Sequence, residues 1–178
     1  EGNYSQNWIA NKNLQLNHKQ AGYLDNFKVA GDNIIVSGWH ADDASAVAPT
    51  HFIILFDKTK NHEVGHQLVK LTASPDVAKA EGQIANAGNA RFSTSFKLSP
   101  DMIGDQFVVV SRYSNSPDGN SYGSSYSDYW YGNQLNLNQN QAWLDNFSQS
   151  GTRIDVSGWH ADDYSMTDPY HYLILWDL

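Results

Sequence analysis

The sequence predicts an all-β fold: an antiparallel β-sandwich, Ig-like or carbohydrate-binding-module-like, built as a tandem repeat with a period of about 120 residues. Three observations carry this expectation. Seven short segments rich in Val, Ile, Phe, Tyr or Trp alternate with turn residues through the middle of the chain. Helical character is confined to 75–84, where Pro75 stands at a first-turn position. Finally, the chain repeats itself: Leu24-Asp25-Asn26-Phe27 returns as Leu144-Asp145-Asn146-Phe147, and SGWHADD at 37–43 returns unchanged at 157–163. Between 23–58 and 143–178, 20 of 36 positions are identical without a gap, so the repeating unit has the size of a domain and not of a solenoid turn.

In chain order the strands are expected at 22–29, 33–40, 51–57, 63–71, 91–98, 106–113 and 126–131. Gly31-Asp32, the polar stretch 58–61, the Asn-rich 86–89, Ser99-Pro100 and 116–120 separate them with residues that favour turns. The run GNSYGSSYS at 119–127 is low in complexity and reads as a long flexible loop. Residues 9–21 resemble 130–142, which divides the chain into the tail of a preceding repeat (1–21), one complete repeat (22–141) and the opening strands of a following repeat (142–178), ending just after a strand that matches 51–57. The start at Glu1-Gly2-Asn3 reads as a piece of something longer. The opening strands of the third segment are apolar, with Ile154, Val156, Trp159, Tyr172, Leu173, Ile174, Leu175 and Trp176. Left in water they would favour association, so a closing segment is expected to pack on the opening strands of the next copy, with 8–16 as a paired strand.

Composition narrows the function. With 19 acids against 11 bases the net charge is -8, which argues against binding a phosphate backbone, and no apolar run approaches the roughly 20 residues that span a bilayer. Cysteine is absent, which removes disulfides, thiolate nucleophiles and Cys-ligated zinc. Charged residues are only 17% and are replaced by Asn, Gln, Ser and Thr, the surface of an exported module and not of a cytosolic enzyme. Neither a phosphate-binding glycine loop nor a nucleophile elbow is present.

His62-Glu63-Val64-Gly65-His66 matches H-E-x-x-H, which as a helix would give a zinc metallohydrolase. It follows an apolar strand and a polar turn, so it reads instead as the second arm of a hairpin, where positions i and i+4 stand about 13 Å apart. Trp39, His40, Asp42 and Asp43, with their copies Trp159, His160, Asp162 and Asp163, admit two readings. One is a sugar site, with indole stacking and carboxylates on hydroxyls; the other is packing, with Trp39 in the core and the aspartates closing a turn. A structural calcium on Asp42 and Asp43 is a third. Tyr129 and Trp130 lie in an aromatic stretch whose two strand faces suit either a pyranose platform or a core with a tyrosine corner.

Four motifs together resemble a known family. Ser74-Pro75-Asp76-Val77, Ala90-Arg91-Phe92 and Arg112-Tyr113-Ser114, beside the SGWHA segment at 37–41, resemble the RDV repeat of lactic acid bacteria, found in the N-terminal variable regions of Lactobacillus glucansucrases and in other exported surface proteins. The chain departs from that pattern at Ser74, where the family usually has Arg, and at Ala90-Arg91-Phe92, where it usually has Ser-Gly-Phe. The resemblance implies a non-catalytic module of a secreted or cell-wall protein of a Gram-positive bacterium. Its partners would be glucan or cell-wall polysaccharide and neighbouring repeats, with a ligand-free structural spacer as the alternative. It implies no cofactor.

Overall fold

The computed structural model describes residues 18–119 and 126–177. Among them, in chain order, lie β1 (Gln20–Ala30), β2 (Asn33–Asp42), β3 (Thr50–Asp57), β4 (His62–Leu68), the short helix α1 (Pro75–Ala80), β5 (Arg91–Lys97), β6 (Gln106–Ser114), β7 (Tyr126–Asn136), β8 (Asn140–Ser150) and β9 (Arg153–Asp162). All pairings are antiparallel: one sheet runs β1-β2-β5, a second runs β4-β3-β6-β7, and β8-β9 form a separate hairpin. The all-β expectation holds, and each of the seven expected strands is found. The fourth stops at Leu68, before 69–71. The seventh runs past Tyr131 to Asn136, where it pairs with Gln106–Val108 and where Leu135, opposite Phe107, packs against the main core. The paired strand expected at 8–16 and most of the loop at 119–127 lie outside the described residues.

Side-chain alternation decides which face of each strand is buried. In β2, Ile34, Val36, His40 and Asp42 point inward and are sealed, while Ile35, Ser37 and Trp39 lie on the other face. The main core joins both sheets: Leu24, Ile34, Val36, Phe92 and Phe96 from the first meet Ile53, Leu55, Phe107, Val109 and Tyr131 from the second. The central strands β3 and β6 are buried on both faces, which explains their unbroken apolar runs. A smaller cluster lies beneath the outer face of the first sheet, where Val77, Ile84, Ala87 and Ala90 pack against Ala41 and Trp39.

The β1–β2 hairpin has an unusual shape that its sequence explains. Its two-residue turn puts Gly31 at φ +56°, as tight hairpins require. Further along, Asp25 is an extra residue in β1, a bulge opposite Gly38 and Ser37. The bulge drives the backbone of β1 so close to Gly38 that a Cβ there would stand 2.2 Å from the Tyr23 carbonyl oxygen. The β8–β9 hairpin reproduces all of this: the same register displaced by 120 residues, the bulge between Leu144 and Asn146, and a Gly158 whose Cβ would stand 2.2 Å from the Trp143 carbonyl. One expectation fails. Residues 171–177, matched in sequence to β3, form no strand. β3 is held by ladders to β4 and β6 on either side, whereas among the described residues nothing pairs with 171–177, and an apolar run without a ladder has no reason to extend.

The close approach at Gly38 makes a clear prediction. Gly38→Ala has no room without breaking the bulge and should lower the unfolding free energy by about 2–4 kcal/mol. Gly65→Ala, a strand glycine with open space around it, should be neutral or stabilising by about 0.5–1 kcal/mol. Urea unfolding of both variants checks this, and equal effects would refute it.

Candidate functional site

The repeated SGWHADD segment is the natural starting point. His40 at the inner end of β2 meets His51 of β3 and Ser111 of β6: His40 Nδ1 lies 2.7 Å and His51 Nε2 2.5 Å from the one Ser111 Oγ. His51 stacks on Tyr113 at 4.3 Å between ring centroids, and Tyr113 donates its hydroxyl to the His40 carbonyl at 3.0 Å. Asp42 Oδ2 faces His40 Nε2 at 3.6 Å. All these side chains are buried.

The geometry selects one proton arrangement. A hydroxyl donates once, so one histidine must donate to Ser111 and the other must accept from it. If His40 carried its proton on Nδ1, its bare Nε2 would face a carboxylate and His51 would be left with a buried Nδ1–H bonded to nothing. The opposite order, His51 Nε2–H to Ser111 Oγ–H to His40 Nδ1, turns the His40 Nε2–H toward the Asp42 carboxylate, 3.6 Å away and beyond hydrogen-bond distance but of favourable sign, and leaves a lone pair and not an N–H on His51 Nδ1, the lesser cost. Burial pushes the His51 ring down to about 3, and burial, with His51 next to it, holds His40 well below the usual imidazole range. Both rings are neutral in the fold.

The two aspartates tie chain segments together. Asp42 accepts at Oδ1 from the Ala44 N–H (2.7 Å), capping the 3-10 turn Asp43–Ala46, and at Oδ2 from Ser127 of β7 (2.6 Å). Asp43 accepts from the backbone N–H of Lys19 (3.1 Å) and of Ala85 (3.0 Å). These oxygens thus point at hydrogen-bond donors, and a calcium ion on Asp42 and Asp43 would have to displace them. Among the described residues no group of three or more metal-ligating side chains is assembled. His62, Glu63 and His66 lie on strand β4, not on a helix, and His66 Nδ1 is 2.6 Å from Glu63 Oε1 at the surface.

The other motif residues are also used internally. Arg91 at the start of β5 bridges Asp25 in the bulge (2.9 Å) and Asp76 of α1 (2.6 Å). Ser74 is buried, donating to the Ala87 carbonyl and accepting from the Ala90 N–H, so a short hydroxyl fits where an arginine would not. Arg112 grips Asp128 with two bonds of 2.6 and 2.7 Å, donates to the Gly119 carbonyl, and lies 4.7 Å from the Tyr126 ring centroid.

The residues proposed for sugar contact are therefore scattered. His40 and Asp42 are interior and cannot be reached. Trp39 is half-buried on the opposite face of β2 against the small α1 cluster. Tyr129 faces inward, its hydroxyl on the Gly22 carbonyl at 3.2 Å. Trp130 alone of the complete unit's set stands in open solvent, 54% exposed, with its ring edge-to-face with Phe56 at 5.2 Å. It lines a groove of about 450 Å3 with Phe56, Lys58, Asn61, Gly132 and Gln134. Trp159, His160, Asp162 and Asp163 repeat the first set on β8–β9, where Trp159 is 52% exposed. Sequence reasoning overlooked His51 and Ser111. The signals were present: His51 recurs as His171, and Ser111 directly follows the apolar run Phe107–Val110 of β6.

Two histidines held neutral imply acid sensitivity. Their folded affinities for protons lie below the unfolded value near 6.5, so the stability they contribute is full above that pH and is lost as pH falls below it, in the case of His51 toward about 3. Between pH 7 and pH 5 His51 alone should cost about 2 kcal/mol. The variant His51→Gln, which keeps a donor to Ser111 but cannot titrate, should show a correspondingly smaller fall in urea midpoint over that interval, and an unchanged fall would refute the assignment. No family model matches the chain, and no curated protein or solved structure matches it either.

Proposed function

We propose that the chain is a non-catalytic β-sandwich repeat of an exported Gram-positive surface or glycan-active protein, and that it binds glucan or cell-wall polysaccharide through Trp130. The observation that carries this reading is the Trp130 groove: a flat indole open to solvent, braced by Phe56 and rimmed by the polar ends of Lys58, Asn61 and Gln134. An indole face offers a pyranose ring its apolar C–H surface, while amide groups at the rim meet hydroxyls, and the low charge suits a neutral polymer. The resemblance to RDV repeats and the 120-residue duplication support the same reading. A non-catalytic role agrees with the burial of Ser111, His40 and Asp42, whose chemistry no substrate can approach.

A second reading, a structural spacer without a ligand, draws on a different observation: every residue of the repeated motif that can be traced is spent inside the molecule. One experiment separates the two. On the binding reading, Trp130→Ala lowers retention on an insoluble α-glucan or on purified cell wall at least about tenfold with an unchanged melting temperature, as expected when a central aromatic contact is lost. Trp39→Ala does the reverse, losing about 2–3 kcal/mol of stability because it empties the cover of α1. Absence of retention by the unsubstituted protein at any concentration would leave the spacer.

A further inference from the structure

The hairpins β1–β2 and β8–β9 are near copies, so what the first touches shows what the second lacks. Leu24 is 4% exposed and Leu144, at the same register position, is 55% exposed. β2 carries β5 on its outer edge, with Trp39 opposite Arg91, Gly38 opposite Phe92 and Ile34 opposite Phe96. The matching edge of β9, from Arg153 to Trp159, has no partner among the described residues. Asp25 receives Arg91, whereas Asp145 makes no ion pair among the described residues. Asp43 binds two backbone N–H groups, one from Lys19 and one from Ala85; Asp163 keeps the first, from Gln139 at 2.7 Å, and has nothing in place of the second. His40 and His51 are joined through a hydroxyl, but His160 Nδ1 and His171 Nε2 stand 3.3 Å apart with no hydroxyl between them. An apolar cavity of about 720 Å3 opens between Trp143, Leu144, Val156, Trp159, Tyr172 and Leu173.

From this set of matched vacancies we infer that the β8–β9 hairpin is an acceptor for the closing half of a module of this same kind, recognised by a strand with Arg-Phe-x-x-x-Phe spacing that pairs with β9 and places its arginine on Asp145. The inference rests on the repeat reading and goes beyond it by naming the strand and its contacts. A general sticky surface would not explain why the Asp145 carboxylate, the second place on Asp163 and the β9 edge are open together, each where the first copy has a partner from 85–97, while His160 bonds directly to His171 where the first pair is bridged by Ser111. A plain copy of β5 fits this edge at every position but one. In the first unit Lys97 pairs with Asp32 at 2.9 Å and lies opposite Asn33; the second unit has Thr152 and Arg153 there. A lysine at that place meets an arginine, so the fitting strand carries a neutral or acidic residue in its stead.

The test extends the full chain at its end by a second copy of residues 59–141, the part that follows the matching hairpin and strand in the first unit. The expected result has three parts. Backbone amides of 153–159 exchange at least about a hundredfold more slowly than in the parent chain, as an edge that gains a ladder does. Asp145→Asn, silent in the parent chain, shifts the unfolding equilibrium of the new unit about threefold, as does Arg91→Ala made only in the appended copy. Lys97→Glu in the appended copy raises the melting temperature of that unit. If the appended half folds onto the hairpin but Asp145, the appended Arg91 and the appended Lys97 are all silent, the strand assignment is wrong and the repeat reading survives. If the appended half stays unfolded and 153–159 exchange as before, both are wrong. If 153–159 are already protected in the parent chain in a concentration-dependent dimer, the occupant is a second copy and the inference is overturned.

Discussion

One hydroxyl, Ser111 Oγ, joins His40 on one sheet to His51 on the other, and the interior is arranged around that joint. A buried imidazole that lacks a partner costs a few kcal/mol, so two of them in one core are tolerable only if each is placed to use the same oxygen. That requirement fixes the register of β2 against β3 and β6, since a slip of one residue turns His40 outward and Trp39 in. Tyr113 then closes the arrangement, stacked on His51 and bonded to the backbone of His40, with Asn86 bonded to its hydroxyl. An apolar core of the same volume would be at least as stable. What the polar joint adds is a unique pairing of the two sheets, because only one sliding position satisfies it.

Much of this was legible in the sequence, and the part that was not has a physical reason. The strands were readable because β2, β3 and β6 carry unbroken or alternating apolar patterns between turn residues. The opposite sides of Tyr129 and Trp130 followed from the two-residue period alone. Which side was wet did not follow, because periodicity assigns faces to a strand but does not say what lies over each face. Trp39 shows this well. An indole flanking a repeated His looks like a sugar platform, yet α1, thirty-odd residues away in sequence, supplies Val77 and carries the chain toward Ile84 to cover it. The motif 171–177 illustrates a different gap: a strand is a property of a pair, and a sequence pattern cannot report that its partner is missing.

The unchanged SGWHADD segment also acquires a meaning that its chemistry disguised. Histidine, aspartate and tryptophan are the residue types of binding and catalysis, and here each serves assembly. Gly38 lets the bulged strand approach, His40 receives β6, Asp42 caps a turn and receives β7, and Asp43 collects the chain on both sides. Such contacts are charge-assisted or buried, so each is worth more than a surface pair and none tolerates a substitute that lacks the same donor or acceptor. Positions on the open surface of the hairpin face no such demand, and there the two copies differ: Lys28 and Ser148, Asp32 and Thr152, Ile35 and Asp155.

These contacts have a direction. The SGWHADD side chains that bond to the rest of the unit do so as acceptors, through the Asp42 and Asp43 carboxylates and the His40 ring nitrogen, while the backbone both accepts, at the His40 carbonyl, and donates, from His40 to the Ala90 carbonyl and from Asp42 to Asn86 Oδ1. The groups that reach these acceptors are donors: the hydroxyls of Ser127, Ser111 and Tyr113 and the backbone of Ala85. In these side-chain contacts the hairpin accepts and the remainder donates, so two such hairpins brought face to face would oppose carboxylate to carboxylate. Like charges at such a contact are repelled before any apolar surface can be gained. Where exposed hairpins of such apolar content would otherwise find one another, this polarity disfavours that pairing and favours the combination seen around β1–β2.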